Sequence, residues 1–353
     1  MKKNCYINGI GAVAAQDMTP KVDPGRFEEI TTSIANAIDP NYKEFIPLSQ
    51  IRRMSKAVKM GVTASSLALK DSGVTVPNAI VTGTGLGCVN DSEKFLKIVI
   101  DNDEEFLTPT SFIQSTHNTV GAQIALGLGC KAYNVSYVHG STSFETALID
   151  TKLQVNEEVS DILVGGVDEI GKYTSKLFDL AGHVKTDIAE GGGVLKDLTS
   201  GACLSEGALF FVASDKMNKN TYASLLDVRI FEDVLLEELE EKVLVFLQDN
   251  QTKPEDIDMV FLGNNGDKEF DHFYHLLQQG IFLDRPQAGY KNYSGEFHTA
   301  SAFGFYLACM ALKENAVSEN LKLNHAGAPK IDRVLLYNQY RGKHHSLVLL
   351  ESC

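Results

Sequence analysis

The residues best placed to do chemistry lie on one short run, "NVSYVHGSTSFETAL", Asn134 to Leu148. It reads as a buried strand, a turn of small residues and the start of a helix. Such a turn displays Gly140, Ser141, Thr142 and Ser143 at the positive end of a helix. There a nucleophile, or the oxyanion that forms when it attacks, is stabilised. A serine hydroxyl is a weak nucleophile and needs an adjacent general base. A simpler reading is that Ser141 or Ser143 only caps the helix, because Ser and Thr are favoured there whatever the function.

Other constellations are less specific. "GDKEFDHFYHLL" sets Asp267, Asp271 and His275 at helical i, i+4 spacing with His272 alongside. That spacing could ligate a metal, but no residue fixes the histidine tautomer, and the aromatics favour a partly buried surface helix. Lys343, His344 and His345 could chelate, yet adjacent histidines on a surface ordinarily do nothing. "EGGGVL", Glu190 to Leu195, lacks the lysine and the strand-to-helix setting of a phosphate loop. It reads as a loop.

Short apolar strands alternate with helical segments around these residues. "YINGIGAV", "AIVTGTGLG", "YNVSYVH", "DILVGGVDE" and "GALFFVASD" read as strands, some closing on glycine turns. "SKAVKMGVTASSLALKDSG" has helical periodicity and stops at Gly73. "STHNTVGAQIALGLG" and "STSFETALIDTKLQV" are further helices. The pattern then recurs. "TYASLLDVRIF" and "IDMVFLGNNGD" are strands, and "LLEELEEKVLVFLQDN" is a helix with an acidic outer face. "FDHFYHLLQQGI" and "TASAFGFYLACMALKEN" are helices, and "RVLLYNQY" with "HSLVLLES" closes as a hairpin. Alternation of this kind predicts layered α/β architecture. The repeated order predicts two similar halves, residues 1–216 and 217–353, from an old duplication.

The chain has 353 residues and is 44% hydrophobic and 22% charged, which is enough for a substantial core. A net charge of −14 argues against nucleic acid, which needs a basic face. No apolar run reaches the roughly 18 residues of a membrane span. The opening "MKKNCYINGIGAVAA" reads as a strand and turn rather than a leader, because Asn4, Asn8 and the glycines break it up. The six scattered cysteines form no CxxC pair and fit buried thiols in a cytoplasmic protein.

The order of the landmarks resembles the β-ketoacyl-acyl-carrier-protein synthases, condensing enzymes of the thiolase fold. The resemblance runs over almost the whole chain. It is carried by "INGIGAV", "RRMSK", "VTGTGLG", "SFIQSTHNTVGAQIALGLG", "DILVGGVDE", "SGACLSEGALFFVAS" and "FHTASAFG". It implies an α-β-α-β-α layered, thiolase-like fold and a dimer, homomeric or heteromeric. The implied partners are acyl carrier protein, whose phosphopantetheine delivers the chain, and an active ketosynthase subunit. No bound cofactor of its own is implied. His117 and Asn118 fall on the segment similar to the family's dimer-side wall.

The family's catalytic pattern is only partly kept. A gap-free comparison puts Ser141 where the family has its cysteine nucleophile; a slip of one residue would put Gly140 there. His298 matches the family's second histidine. The first falls in "FLGNNGDKE", where Gly263, Asn264 or Asn265 stands instead. Asn265 is the candidate amide donor. Lys291 lies near the position of a family lysine, and "NQYRGKHHS", Asn338 to Ser346, replaces a glycine-phenylalanine-glycine-glycine loop that supplies an oxyanion donor and a gate. The resemblance therefore offers Ser141, His298 and Asn265 as catalytic positions. His139, Thr142, Lys291, Thr299, Asn338 and Arg341 become candidates for substrate binding.

A cysteine at a helix N-terminus is partly thiolate near neutral pH, whereas a serine is not. Losing one oxyanion donor typically costs about 10²–10³ in rate. Three readings follow. One is a non-condensing partner subunit like a chain-length factor in a type II fatty-acid, polyketide or polyene pathway. Another is a Ser141-dependent acyltransferase or thioester hydrolase with His298 or His139 as base. The third is a weak 3-oxoacyl-acyl-carrier-protein synthase using Ser141, Asn265 and His298.

Overall fold

The computed structural model describes residues 3–18, 22–107, 109–185, 188, 193–196, 199–327 and 330–353, without the side chain of residue 111. Residues 190–192 of the Glu190–Leu195 loop therefore lie outside the described residues.

The N-terminal strands are β1 (Tyr6–Val13), β2 (Ala79–Gly83), β3 (Tyr133–Tyr137), β4 (Ile162–Asp168) and β5 (Gly207–Ser214). The C-terminal strands are β6 (Ala223–Glu232), β7 (Met259–Leu262), β8 (Gln287–Gly289), β9 (Arg333–Tyr340) and β10 (His344–Glu351). Each set runs in the same order. The first set is β3-β2-β4-β5-β1 and the second is β8-β7-β9-β10-β6. In both, the first two pairings are parallel and the last two antiparallel. Among the described residues the sets pair where Tyr6 meets Ser224 and Ile7 meets Ala223.

The longer helices are α1 (Lys56–Ser72), α2 (Val89–Asp101), α3 (Thr119–Leu128), α4 (Ser143–Asn156), α5 (Lys172–Leu180), α6 (Leu239–Asp249), α7 (His272–Gln279) and α8 (Ser301–Glu314). α1 begins where Ser55 Oγ accepts from Val58 N, and it ends at Gly73 with a left-handed φ of 79°. Strand alternation sends successive side chains to opposite layers. Ile80, Leu163, Phe210 and Val212 pack with α1 and α3, while Val81, Val164, Leu209 and Phe211 turn inward to α4 and α8. In the second half Leu335, Tyr337, Leu347 and Leu349 face α6 and α7, and Val334, Leu336, Val348 and Leu350 face α4 and α8. The result is five layers, α-β-α-β-α, the thiolase-like arrangement.

α8 is buried on every side from Ser301 to Leu312, as a helix apolar all round must be. Phe144 of α4, Phe211 of β5 and Phe305 of α8 form an aromatic cluster with centroids 4.8–5.7 Å apart. Each such buried ring contributes about 1.5–3 kcal/mol. This cluster fixes the two central helices to each other, and each of them starts two or three residues after a candidate site residue, Ser141 or His298.

One sequence expectation fails. "NVSYV" was expected to be a buried strand, but β3 is an edge strand that pairs with β2 alone among the described residues. Tyr133 and Asn134 are exposed and the rest of β3 is half-buried. Its residues match the buried pattern because the strand has the right composition, but no strand among the described residues covers its outer side. Cys5, Cys88, Cys203 and Cys309 are buried and form no disulfide among the described residues. Among the described residues, no helix is long and apolar enough to cross a membrane.

Candidate functional site

The turn before α4 is a single 3-10 turn, Gly140–Thr142, with Gly140 at φ 56°. Ser143 fastens it. Its Oγ accepts from His139 N (2.8 Å) and lies within donating distance of Gly140 O (2.7 Å) and of Thr84 O on the turn after β2 (2.9 Å). Ser143 thus does the local anchoring that a capping serine would do. Ser141, 3% exposed, instead turns its hydroxyl to His344, with Oγ and Nδ1 3.0 Å apart.

His344 is the residue beside Ser141 that sequence reasoning passed over as an idle surface histidine. It reaches Ser141 because the β9–β10 hairpin is tight. Tyr340 pairs with His344 across a turn in which Arg341 and Gly342 both take left-handed φ, 50° and 65°. His344 and Ser346 point to one face of β10, and Ser141 and Glu145 lie about one helical turn apart. The contacts match in pairs, because Ser346 Oγ donates to Glu145 Oε1 (2.8 Å). Glu145 is fully buried, and burial raises its pKa. His345 points the opposite way, with Nδ1 2.8 Å from Tyr337 OH, and burial pushes its pKa down to about 4.

His298 is fixed by its neighbour. Thr299 donates to Asp168 Oδ2 through N (3.0 Å) and Oγ1 (2.8 Å). Asp168 Oδ1 accepts from Thr84 Oγ1, Gly85 N and Leu86 N at 2.8–3.1 Å. One carboxylate at the end of β4 therefore ties the turn after β2 to the start of α8. The His298 ring lies over Gly85, where an added Cβ would sit 2.2 Å from its Cγ. It also packs near Tyr340, with centroids 5.4 Å apart. Burial pushes the Tyr340 phenol up to about 12, so it stays protonated. Among the described residues no hydrogen bond joins Ser141 to His298. The two imidazoles nonetheless flank Gly140: a Cβ there would lie 3.8 Å from His298 Cδ2 and 3.9 Å from His344 Cε1. A cavity of about 40 Å³ beside His298 is lined by Phe178, Asp168, Glu296 and Tyr340 among others.

The remaining candidates divide between this turn and a buried polar cluster behind it. His139 turns away from Ser141, its Nδ1 3.3 Å from Thr146 Oγ1 at the surface. Thr142 Oγ1 donates back to His139 O (3.0 Å). Asn265 donates through Nδ2 to Glu296 Oε2 (2.7 Å), which also receives Lys291 Nζ (2.8 Å). Asn338 Oδ1 accepts from Tyr290 OH (3.0 Å). Arg341 lies over the Phe270 ring at 4.9 Å and is 3.8 Å from Asp267. Asp271 accepts from Asn265 N and Gly266 N, and Asp267 Oδ1 accepts from Glu269 N. These carboxylates shape the turn, and among the described residues no cluster of three potential ligands gathers around them. His117 and Asn118 are exposed at the start of α3.

Residues 29–173 match the family model described as the N-terminal domain of beta-ketoacyl synthases. No curated protein sequence matches the chain. Solved structures with the same fold include the ishigamide ketosynthase/chain length factor. It is 17% identical at a TM-score of 0.78, with 100% of both chains covered. A beta-ketoacyl synthase from Burkholderia phymatum STM815 is 18% identical at 0.78, covering 99% of this chain and 100% of that one. A ketosynthase (ApeO) in complex with its chain length factor (ApeC) from Xenorhabdus doucetiae is 14% identical at 0.77, covering 99% and 98%.

Proposed function

We propose, from the match of residues 29–173 to the N-terminal domain of beta-ketoacyl synthases and the thiolase-like fold, a chain-length-factor-like subunit of a type II polyketide, polyene or fatty-acid system. In this reading it assembles with an active, cysteine-containing ketosynthase. The pair acts on chains delivered by the phosphopantetheine of an acyl carrier protein. The subunit itself has little or no condensing activity.

The observation that carries this reading is the fate of the donors. Decarboxylative condensation needs a thiolate and hydrogen-bond donors aimed at two developing oxyanions. Here the nucleophile position holds Ser141, and the Asn265 amide is committed to Glu296 inside a buried cluster. Two further features support a partner. β3 leaves a sheet edge without a neighbour among the described residues, and exposed edges are ordinarily covered. Beside it Leu126, Val138 and Leu153 are exposed. Among the similar structures, one is a ketosynthase in complex with its chain length factor, and another is a type II acyl-carrier protein in complex with its ketosynthase.

The test is co-expression with each cysteine-containing ketosynthase encoded beside it, followed by co-purification and a chain-elongation assay with carrier protein. The expected result is a one-to-one complex that elongates, whereas neither chain does so alone. A chain that stays apart from every such ketosynthase overturns the reading.

A further inference from the structure

We infer that Ser141 and His344 form a working serine site that takes an acyl group from a thioester and releases it to water. The thioester as substrate rests on the function proposed above; the reactivity of the pair does not.

The argument begins with what the Ser141 hydroxyl is not needed for. Ser143 already holds the turn, so the hydroxyl of Ser141 is not needed as an anchor. It is nevertheless held 3.0 Å from an imidazole nitrogen supplied 203 residues later in the chain. That distance is within reach for proton transfer from a serine. The register is fixed by a second contact between the same two elements, Ser346 to Glu145, so the pairing is not a chance of one rotamer. Ser141 is buried while His344 is half-buried, which puts the nucleophile away from water and the base at its border. Gly140 carries no side chain to fill the space between His298 and His344, which leaves room for the acyl carbonyl there.

The step balances without any added cofactor. With the Nδ1 lone pair of His344 accepting, Ser141 Oγ attacks the thioester carbonyl and its proton passes to Nδ1. The C–S bond breaks and the thiolate leaves with that proton as a thiol, giving an ester on Ser141. Water then attacks the ester, its proton passing to Nδ1, and the C–O bond breaks as the proton returns to Ser141. The products are a carboxylic acid and a thiol. Charged and titratable groups around His344 are Glu232 and Tyr340, which pair with it across the sheet, His298 across Gly140, and Arg341 and Lys343 in the turn.

The experiment uses the whole chain without any partner and two probes: a fluorophosphonate and octanoyl-N-acetylcysteamine thioester. The fluorophosphonate is expected to modify Ser141, mapped by peptide mass spectrometry. The thioester is expected to be hydrolysed, with both reactions lost in Ser141→Ala. His344→Ala should slow labelling by about 10²-fold or more, the usual scale of a general base, and added imidazole should restore part of it. A structural role alone would not give that rescue. Melting temperatures of the variants establish that they are folded. If either variant unfolds, Ser141→Gly and His344→Gln take their places and must show the same losses. Absence of Ser141 labelling, or equal labelling in the His344 variant, overturns the pair. Labelling without thioester turnover overturns the substrate class. Neither result bears on whether the chain assembles with a ketosynthase, which co-purification reads separately.

Discussion

Lys291 and Glu296 form an ion pair at 2.8 Å with both side chains almost wholly buried, 1% and 7% exposed. Asn265 donates to the same carboxylate oxygen. Breaking a buried pair by removing one partner leaves an uncompensated charge and costs about 3–5 kcal/mol, whereas replacing both by apolar residues costs far less. Glu296→Gln is therefore expected to destabilise the protein by that amount in urea unfolding. The double variant Lys291→Met/Glu296→Leu should be less damaged than the sum of its singles. Strict additivity would show that the two charges do not depend on each other.

Asp168 joins elements that are far apart in the chain. Asn in its place keeps one acceptor oxygen but turns an amide N–H₂ toward the donors from Thr84, Gly85, Leu86 and Thr299. Asp168→Asn is expected to cost about 2–4 kcal/mol. It should also speed hydrogen exchange at Gly85 and Leu86. Unchanged exchange at those amides would refute the linking role.

Gly85 has no space for a side chain, since a Cβ would sit within 2.3 Å of two His298 atoms. Gly85→Ala should cost about 1–3 kcal/mol and displace the His298 ring. The ring displacement is readable as a changed His298 resonance in a histidine-labelled sample. An unperturbed resonance would mean that the turn yields rather than the ring.

His345 makes stability depend on pH. Burial depresses its folded-state pKa to about 4, below the imidazole reference of about 6.5, so the unfolded chain binds the proton more readily. Its contribution is fully present above pH ~6.5 and is lost as pH falls towards ~4, about 3 kcal/mol in all. His345→Phe should flatten the stability profile over that window. A profile as steep as that of the wild type would assign the slope to other groups.

The open edge at β3 makes an assembly prediction. Leu126 and Leu153 are 73% and 57% exposed, on the helices that flank β3. Charged replacements, Leu126→Glu with Leu153→Arg, should leave unfolding nearly unchanged, because most of each side chain is in solvent. They should abolish association, as read by light scattering after size exclusion. Association that survives both changes would place the interface elsewhere.

What could be read in the sequence was local. Helix stops such as Gly73, the alternation that sends Phe210 and Phe211 to opposite layers, and the repeated strand order all come from short-range sterics and periodicity. They determined the fold class and the turn that presents Ser141. Two things were decided only by tertiary structure. Whether "YNVSY" lies inside or at an edge depends on what stands beside it, and its composition is the same either way. Which histidine meets Ser141 depends on sheet register. His139 is two residues from Ser141 but its ring bonds Thr146, while His344 arrives from 203 residues away on a hairpin whose tight turn fixes its position. Local pattern fixes the direction of a side chain within its own element. The neighbour it finds is set by how distant elements pack, and no spacing in the sequence records that.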